Sequence, residues 1–144
     1  MVTTKTFEFY RATANEGEQK VFGIPPESDV VRITRVYYCD GQPVTHTHIS
    51  LPGHKLPGME KLDIDNHSIF QTIRERYGLT VQRAERWFTA ELPDAESIIR
   101  MGISEDTPLM SIESITYAHD GSALEYYRAF HNSAVARIHL RIDA

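Results

Sequence analysis

Cysteine is nearly absent from this 144-residue sequence: Cys39 stands alone. No intrachain disulfide and no cysteine-type zinc finger can form, which is the usage expected of a protein kept in a reducing cytoplasm. Long apolar runs are missing too. Nothing approaches the roughly 20 residues needed to cross a bilayer, and residues 1–10 lack the apolar stretch of a signal peptide. Positive charge is short, with 15 Lys and Arg against 20 Asp and Glu and a net charge of -5. An acidic chain grips a phosphate backbone poorly, so nucleic acid is not expected to be its own ligand. The sequence also has no glycine-rich phosphate loop, no serine-hydrolase elbow and no metalloprotease helix motif. What remains is ordinary globular composition, 41% hydrophobic and 24% charged, in a length that suits one domain over residues 1–144.

Strand signals dominate. Val31, Ile33, Val36, Tyr37 and Tyr38 form a β-branched and aromatic run that stops at Asp40-Gly41, a hairpin turn, and Val44 to Leu51 alternates until Pro52-Gly53. Leu109 to Tyr117, Asp120-Gly121 and Ala123 to His131 repeat this plan, which suggests two equivalent hairpins. Further strands are expected at Thr6–Ala12, Leu79–Leu92 and Val135–Ile142. Alternation sets Trp87 on the face opposite Phe88, so one of them points away from any core.

Helical spacing is clearest from Ser68 to Tyr77, where Ile69, Phe70, Ile73 and Tyr77 share a face, Ser68 and Gln71 suit a capping box, and Gly78 ends the pattern. A second helix is expected from Asp94 to Met101, and a weaker one from Asn15 to Phe22. Strands joined by hairpins, with a few helices, read as an α+β domain in which helices flank an antiparallel sheet.

Several side chains invite a chemical reading. Arg35 lies in an apolar run on the face of Ile33 and Tyr37, and Glu125 lies in the apolar segment Ala123–Tyr127. Each needs a partner, which is either the other residue or a bound ligand. Glu113 and Glu125 sit on neighbouring strands, where surface or ion-paired carboxylates are the favoured reading over an acid–base pair. His46-Thr47-His48 sets two imidazoles on one strand face, with His54 a loop later. Zinc requires a third ligand in tetrahedral geometry, so a solvated strand face is the favoured reading and no metal or cofactor is assigned.

Taken in order, RITRVYYCDGQPV, SLPG, HSIFQTIRERYG, TPLMSIESITYAHDGSALEYYRAF and a closing basic-apolar segment resemble the UTRA domain. This is the effector-binding C-terminal domain of bacterial GntR-type regulators of the HutC subfamily. The resemblance runs from Thr6 to Ile142 and implies a chorismate-lyase-like fold. It also implies a homodimeric, non-enzymatic sensor that acts on DNA through a separate winged helix-turn-helix domain, to which nothing in these 144 residues corresponds. Members bind small anionic metabolites such as phosphorylated amino sugars, other sugar phosphates and urocanate.

Carried over by position, the resemblance assigns Arg35, Ser68, Arg76 and Glu125 to the effector site. Tyr37 stands where sugar-phosphate sensors tend to have a second arginine, and Thr47 where they have a glutamate. These two departures imply a less charged or more aromatic ligand, read by Tyr37, Tyr127 and His48. The alternative is an enzyme of chorismate-lyase type acting on a small carboxylate, since a fold does not decide function.

Overall fold

The alternating segments become six strands in the computed structural model, which describes residues 1–143. They are β1 (Val2–Thr13), β2 (Asp29–Cys39), β3 (Gln42–Pro52), β4 (Val81–Glu91), β5 (Leu109–Ala118) and β6 (Ala123–His131). Every neighbouring pair is antiparallel, in the order β1-β2-β3-β6-β5-β4. Three helices accompany the sheet: α1 (Glu16–Phe22), α2 (Ile69–Tyr77) and α3 (Ala95–Met101). The architecture is α+β, as expected.

The strand order is symmetric about the contact between β3 and β6. Each half of the chain runs strand, helix, strand, strand, and the two closing hairpins meet at the sheet centre. α1 packs on β6 and α3 packs on β3, so each helix covers the last strand of the other half. The suggested equivalence of the two Asp-Gly hairpins therefore has a structural counterpart, with α2 standing outside the repeat. Their turns differ, however. Asp40 and Gly41 both adopt positive φ, 49° and 83°, as a two-residue type I′ turn demands. In the second turn the Asp120 carboxylate accepts from the Ser122 N–H instead.

Side-chain caps fix the helix starts. Asn15 accepts from the Glu18 N–H while the Glu18 carboxylate accepts from the Asn15 N–H, a complete capping box. Asp94 accepts from the Ser97 N–H at the head of α3. Ser68 accepts from the Gln71 N–H at the head of α2, but the box expected there is only half made. The Gln71 amide donates to Glu75, its i+4 neighbour on the exposed helix surface.

One sheet face carries the main core. Val31, Ile33, Ile49 and Leu51 meet Ile69 and Ile73 of α2, with Leu56, Met59 and Ile64 filling from the β3–α2 connection. Burying each such side chain contributes about 1.5–3 kcal/mol, and this fixes α2 over one end of the face.

The expected strand at Val135–Ile142 does not form. The Val135 and Ala136 N–H groups both donate to the Asn132 carbonyl, and the Asn132 side chain accepts from the Ala134 N–H. This turn lifts the chain off the sheet, and residues 137–143 adopt no strand structure. β4 consequently remains an open edge, and all eleven of its residues are exposed. Trp87 is exposed on the face opposite Phe88 and Arg86, as alternation requires.

Candidate functional site

Beyond the end of the core, the same sheet face opens into a cavity of about 510 Å³. Strand alternation delivers its floor: Tyr37 from β2, Ile49 from β3, Glu125 and Tyr127 from β6, Ile112 and Ser114 from β5, and Arg86 and Phe88 from β4. The roof comes from residues 66–70, at the head of α2, and from Ile138 and Leu140 of the closing segment. Of the residues expected to bind an effector, Tyr37, Ser68, Glu125 and Tyr127 thus converge on one cavity. The first turn of α2 borders it, where unpaired N–H groups and the helix dipole favour an anion.

The other three expected site residues lie elsewhere. Arg35 is fully buried but does not line the cavity. Its guanidinium donates to the Ile64 carbonyl at 2.6 Å, the His67 carbonyl at 3.1 Å and the Thr4 hydroxyl at 2.7 Å. Among the described residues no carboxylate forms an ion pair with it, so the Arg35–Glu125 pair is not made. Arg35 instead ties the loop before α2 to β1 and β2. Thr47 is buried and donates its hydroxyl to the Arg35 carbonyl. Arg76 is exposed in the last turn of α2, away from the cavity lining.

Strand parity sets two further residues away from the cavity. Glu113 lies on the opposite sheet face from Glu125, where it accepts from the Tyr126 hydroxyl, so the two carboxylates share no cavity. His48 also faces away from the cavity, toward α3, and cannot read a ligand held there.

The cation of the cavity is Arg86, which the sequence reading missed. Its signal was present in the alternation of β4, which puts Arg86 on the side of Phe88, but nothing local said that this side faces the site. Burial pushes the Glu125 carboxyl up to about 7, against the opposing influence of Arg86 and a hydrogen bond from Thr116. Burial likewise raises the Tyr37 and Tyr127 phenols, so both stay protonated and can donate. The cavity therefore offers one guanidinium, a helix N-terminus, two phenols and a titratable carboxyl within largely apolar walls.

A family profile described as the UTRA domain matches residues 1–136. The chain belongs to the UTRA domain family. The fold of this UTRA chain is similar to that of part of PhnF from Mycobacterium smegmatis, at a TM-score of 0.92 and 24% identity over 99% of the chain. The effector domain of that protein aligns at a TM-score of 0.87 and 25% identity, covering 93% of this chain and 82% of the other. The C-terminal domain of the histidine utilization repressor from Pseudomonas syringae aligns at 0.86 and 15% identity over the whole of both chains. The UTRA chain spans 63% of the length of PhnF. No curated protein sequence matches it. No helix among the described residues is long and apolar enough to cross a membrane.

Proposed function

We propose that this chain is the small-molecule effector-binding and dimerisation domain of a cytoplasmic bacterial transcriptional regulator of GntR type and HutC subfamily. Effector occupancy alters DNA binding by a separate winged-helix domain, and the chain itself catalyses no reaction. Family membership supports a regulatory ligand-binding domain, and one observation carries the ligand side. A single cavity of metabolite size gathers Tyr37, Ser68, Arg86, Glu125 and Tyr127 around the head of α2.

The chemistry favours a small anion with an apolar or aromatic body. Its carboxylate or phosphate meets Arg86 and the N–H groups of the first turn of α2. Its body lies against Phe70, Phe88 and Ile112, and a hydroxyl or amine reaches Glu125. The open edge of β4 supports the homodimer, because a long exposed edge strand is normally covered or paired. The domain is read as one unit over residues 1–144.

Thermal melts with sugar phosphates, amino-sugar phosphates, urocanate and aromatic carboxylates test the reading. A ligand at a hundred times its dissociation constant adds about 2.7 kcal/mol of stability, and Arg86→Ala is expected to abolish that shift while melting like the wild type without ligand. If no small anion shifts the melt, or if Arg86→Ala responds fully, the cavity is not the effector site.

A further inference from the structure

Strand alternation sets His46 and His48 on the sheet face away from the effector cavity, and α3 lies over them. The face is not a solvated one: His46 is 1% exposed. Glu96, in the first turn of α3, brings its carboxylate to both rings. Oε2 lies 3.4 Å from His46 Nε2, and Oε1 lies 3.0 Å from His48 Nε2. The three donor atoms are all within 4.8 Å of one another. Tetrahedral donors on zinc bonds of about 2.0–2.1 Å stand about 3.3 Å apart, and each imidazole already stands at close to that spacing from one carboxylate oxygen, so a small turn of the Glu96 side chain brings the three donors to one ion.

A second observation points to a missing occupant. His46 Nε2 is buried and has no hydrogen-bond partner, an arrangement that is costly unless something fills the gap. The opposite nitrogens are engaged: His46 Nδ1 lies 2.8 Å from the Ser97 hydroxyl, and His48 Nδ1 lies 3.2 Å from the Thr34 hydroxyl. Metal-binding histidines are held in this way, one nitrogen on the ion and the other on an orienting partner.

The surrounding charges are mixed. Arg100 Nε lies 3.7 Å from Glu96 Oε2, and another nitrogen of the same guanidinium lies 3.7 Å from Glu8. Asp94, Glu113 and Arg128 line a cavity of about 290 Å³ beside the two histidines. Arg100 thus has a second carboxylate to hold when Glu96 turns to an ion.

We propose that His46, His48 and Glu96 form a site for a divalent transition-metal ion of the zinc type, with a remaining position left to water. Two imidazoles and one carboxylate suit zinc or cobalt, whereas magnesium and calcium prefer all-oxygen shells. The ligands come from β3 in one half of the chain and α3 in the other, so the ion joins the two halves. This site stands apart from the effector cavity and does not depend on that reading.

The test uses the chain without a polyhistidine tag, stripped with chelator and titrated with Zn2+, Co2+ and Mg2+. The expected result is one Zn2+ per chain, a raised melting temperature, a Co2+ spectrum of tetrahedral strength and no saturable Mg2+ binding. His46→Ala removes a buried ring and risks misfolding, so His48→Ala and Glu96→Gln are the deciding variants, with native circular dichroism as the control. Each is expected to weaken Zn2+ on the order of 100-fold or more, at least the loss seen when only an orienting partner is removed. Absence of stoichiometric Zn2+ binding, or wild-type affinity in both variants, overturns the proposal, the latter result placing the ion on other histidines.

Discussion

The Thr116 hydroxyl donates to the Glu125 carboxylate across β5 and β6 at 3.4 Å, a long approach for a bond to a carboxylate. It is the one hydrogen bond that carboxylate receives among the described residues. Arg35, on β2 and separated from β6 by β3, donates to two backbone carbonyls and the Thr4 hydroxyl, and Arg86 acts from across the cavity. Glu125 is thereby left buried with too few partners to stay ionised easily.

A pH dependence follows from this. The Glu125 carboxyl titrates near 4.5 in the unfolded chain and at about 7 in the folded one. Below both values the group is protonated in each state and contributes nothing. Between them the folded state holds the proton more tightly, so stability declines as pH rises through this window and the full penalty, roughly 3 kcal/mol, is present above it. Glu125→Gln is expected to flatten this slope in chemical denaturation measured at steps from pH 4.5 to pH 8. An unchanged slope would show that Glu125 is ionised across the range.

Sheet and helices were legible because their signals are local. The Asp-Gly turns, the alternation of β2 and β3 and the caps at Ser68 and Asp94 each sit within a few residues of what they control. The site was legible only by halves. Tyr37, Ser68, Glu125 and Tyr127 line one cavity, but the apolar setting of Arg35 shows only that it needs a partner. That the partners are carbonyls of the loop before α2 depends on where that loop crosses β1. The same limit applies to His46 and His48, whose third neighbour, Glu96, is 48 positions later and becomes adjacent only through the packing of α3 on β3. Val135–Ile142 has strand-like composition, yet a strand forms only beside a ladder partner, and the Asn132 turn takes this segment away from one.

The exposed edge of β4 leads to a statement about assembly. Trp87 is the only tryptophan, and it is 47% exposed on an edge strand whose outer side is unpaired. If two copies cover each other along β4, its emission shifts to shorter wavelength with rising concentration, in step with a light-scattering mass approaching that of a dimer. Trp87→Lys is expected to weaken that association by placing a charge in the contact, while native circular dichroism shows that the monomer fold is kept, since the new ammonium lies opposite Glu113 of β5. A wild-type chain that stays monomeric at high micromolar concentration, with unshifted emission, would count against the β4 interface.

Arg35 and Arg86 should separate stability from recognition. Arg35→Ala removes three hydrogen bonds, two of them donated to the backbone carbonyls of Ile64 and His67, and leaves the Ile64 carbonyl buried near an emptied volume. Losses of this kind cost about 3 kcal/mol together, which for a chain of this size lowers the melting temperature by roughly 10 °C. Arg35→Lys is expected to recover little, since an ammonium is a point donor and cannot reproduce the planar fork that spans Thr4, Ile64 and His67. Arg86 is exposed on β4, so Arg86→Ala should melt near the wild type and lose ligand response. Arg76→Ala, on the outer end of α2, should change neither. Melting all four variants with and without the stabilising anion decides the matter: an Arg35→Ala protein that melts like the wild type while losing the anion response would return Arg35 to the effector site and remove it from the loop anchor.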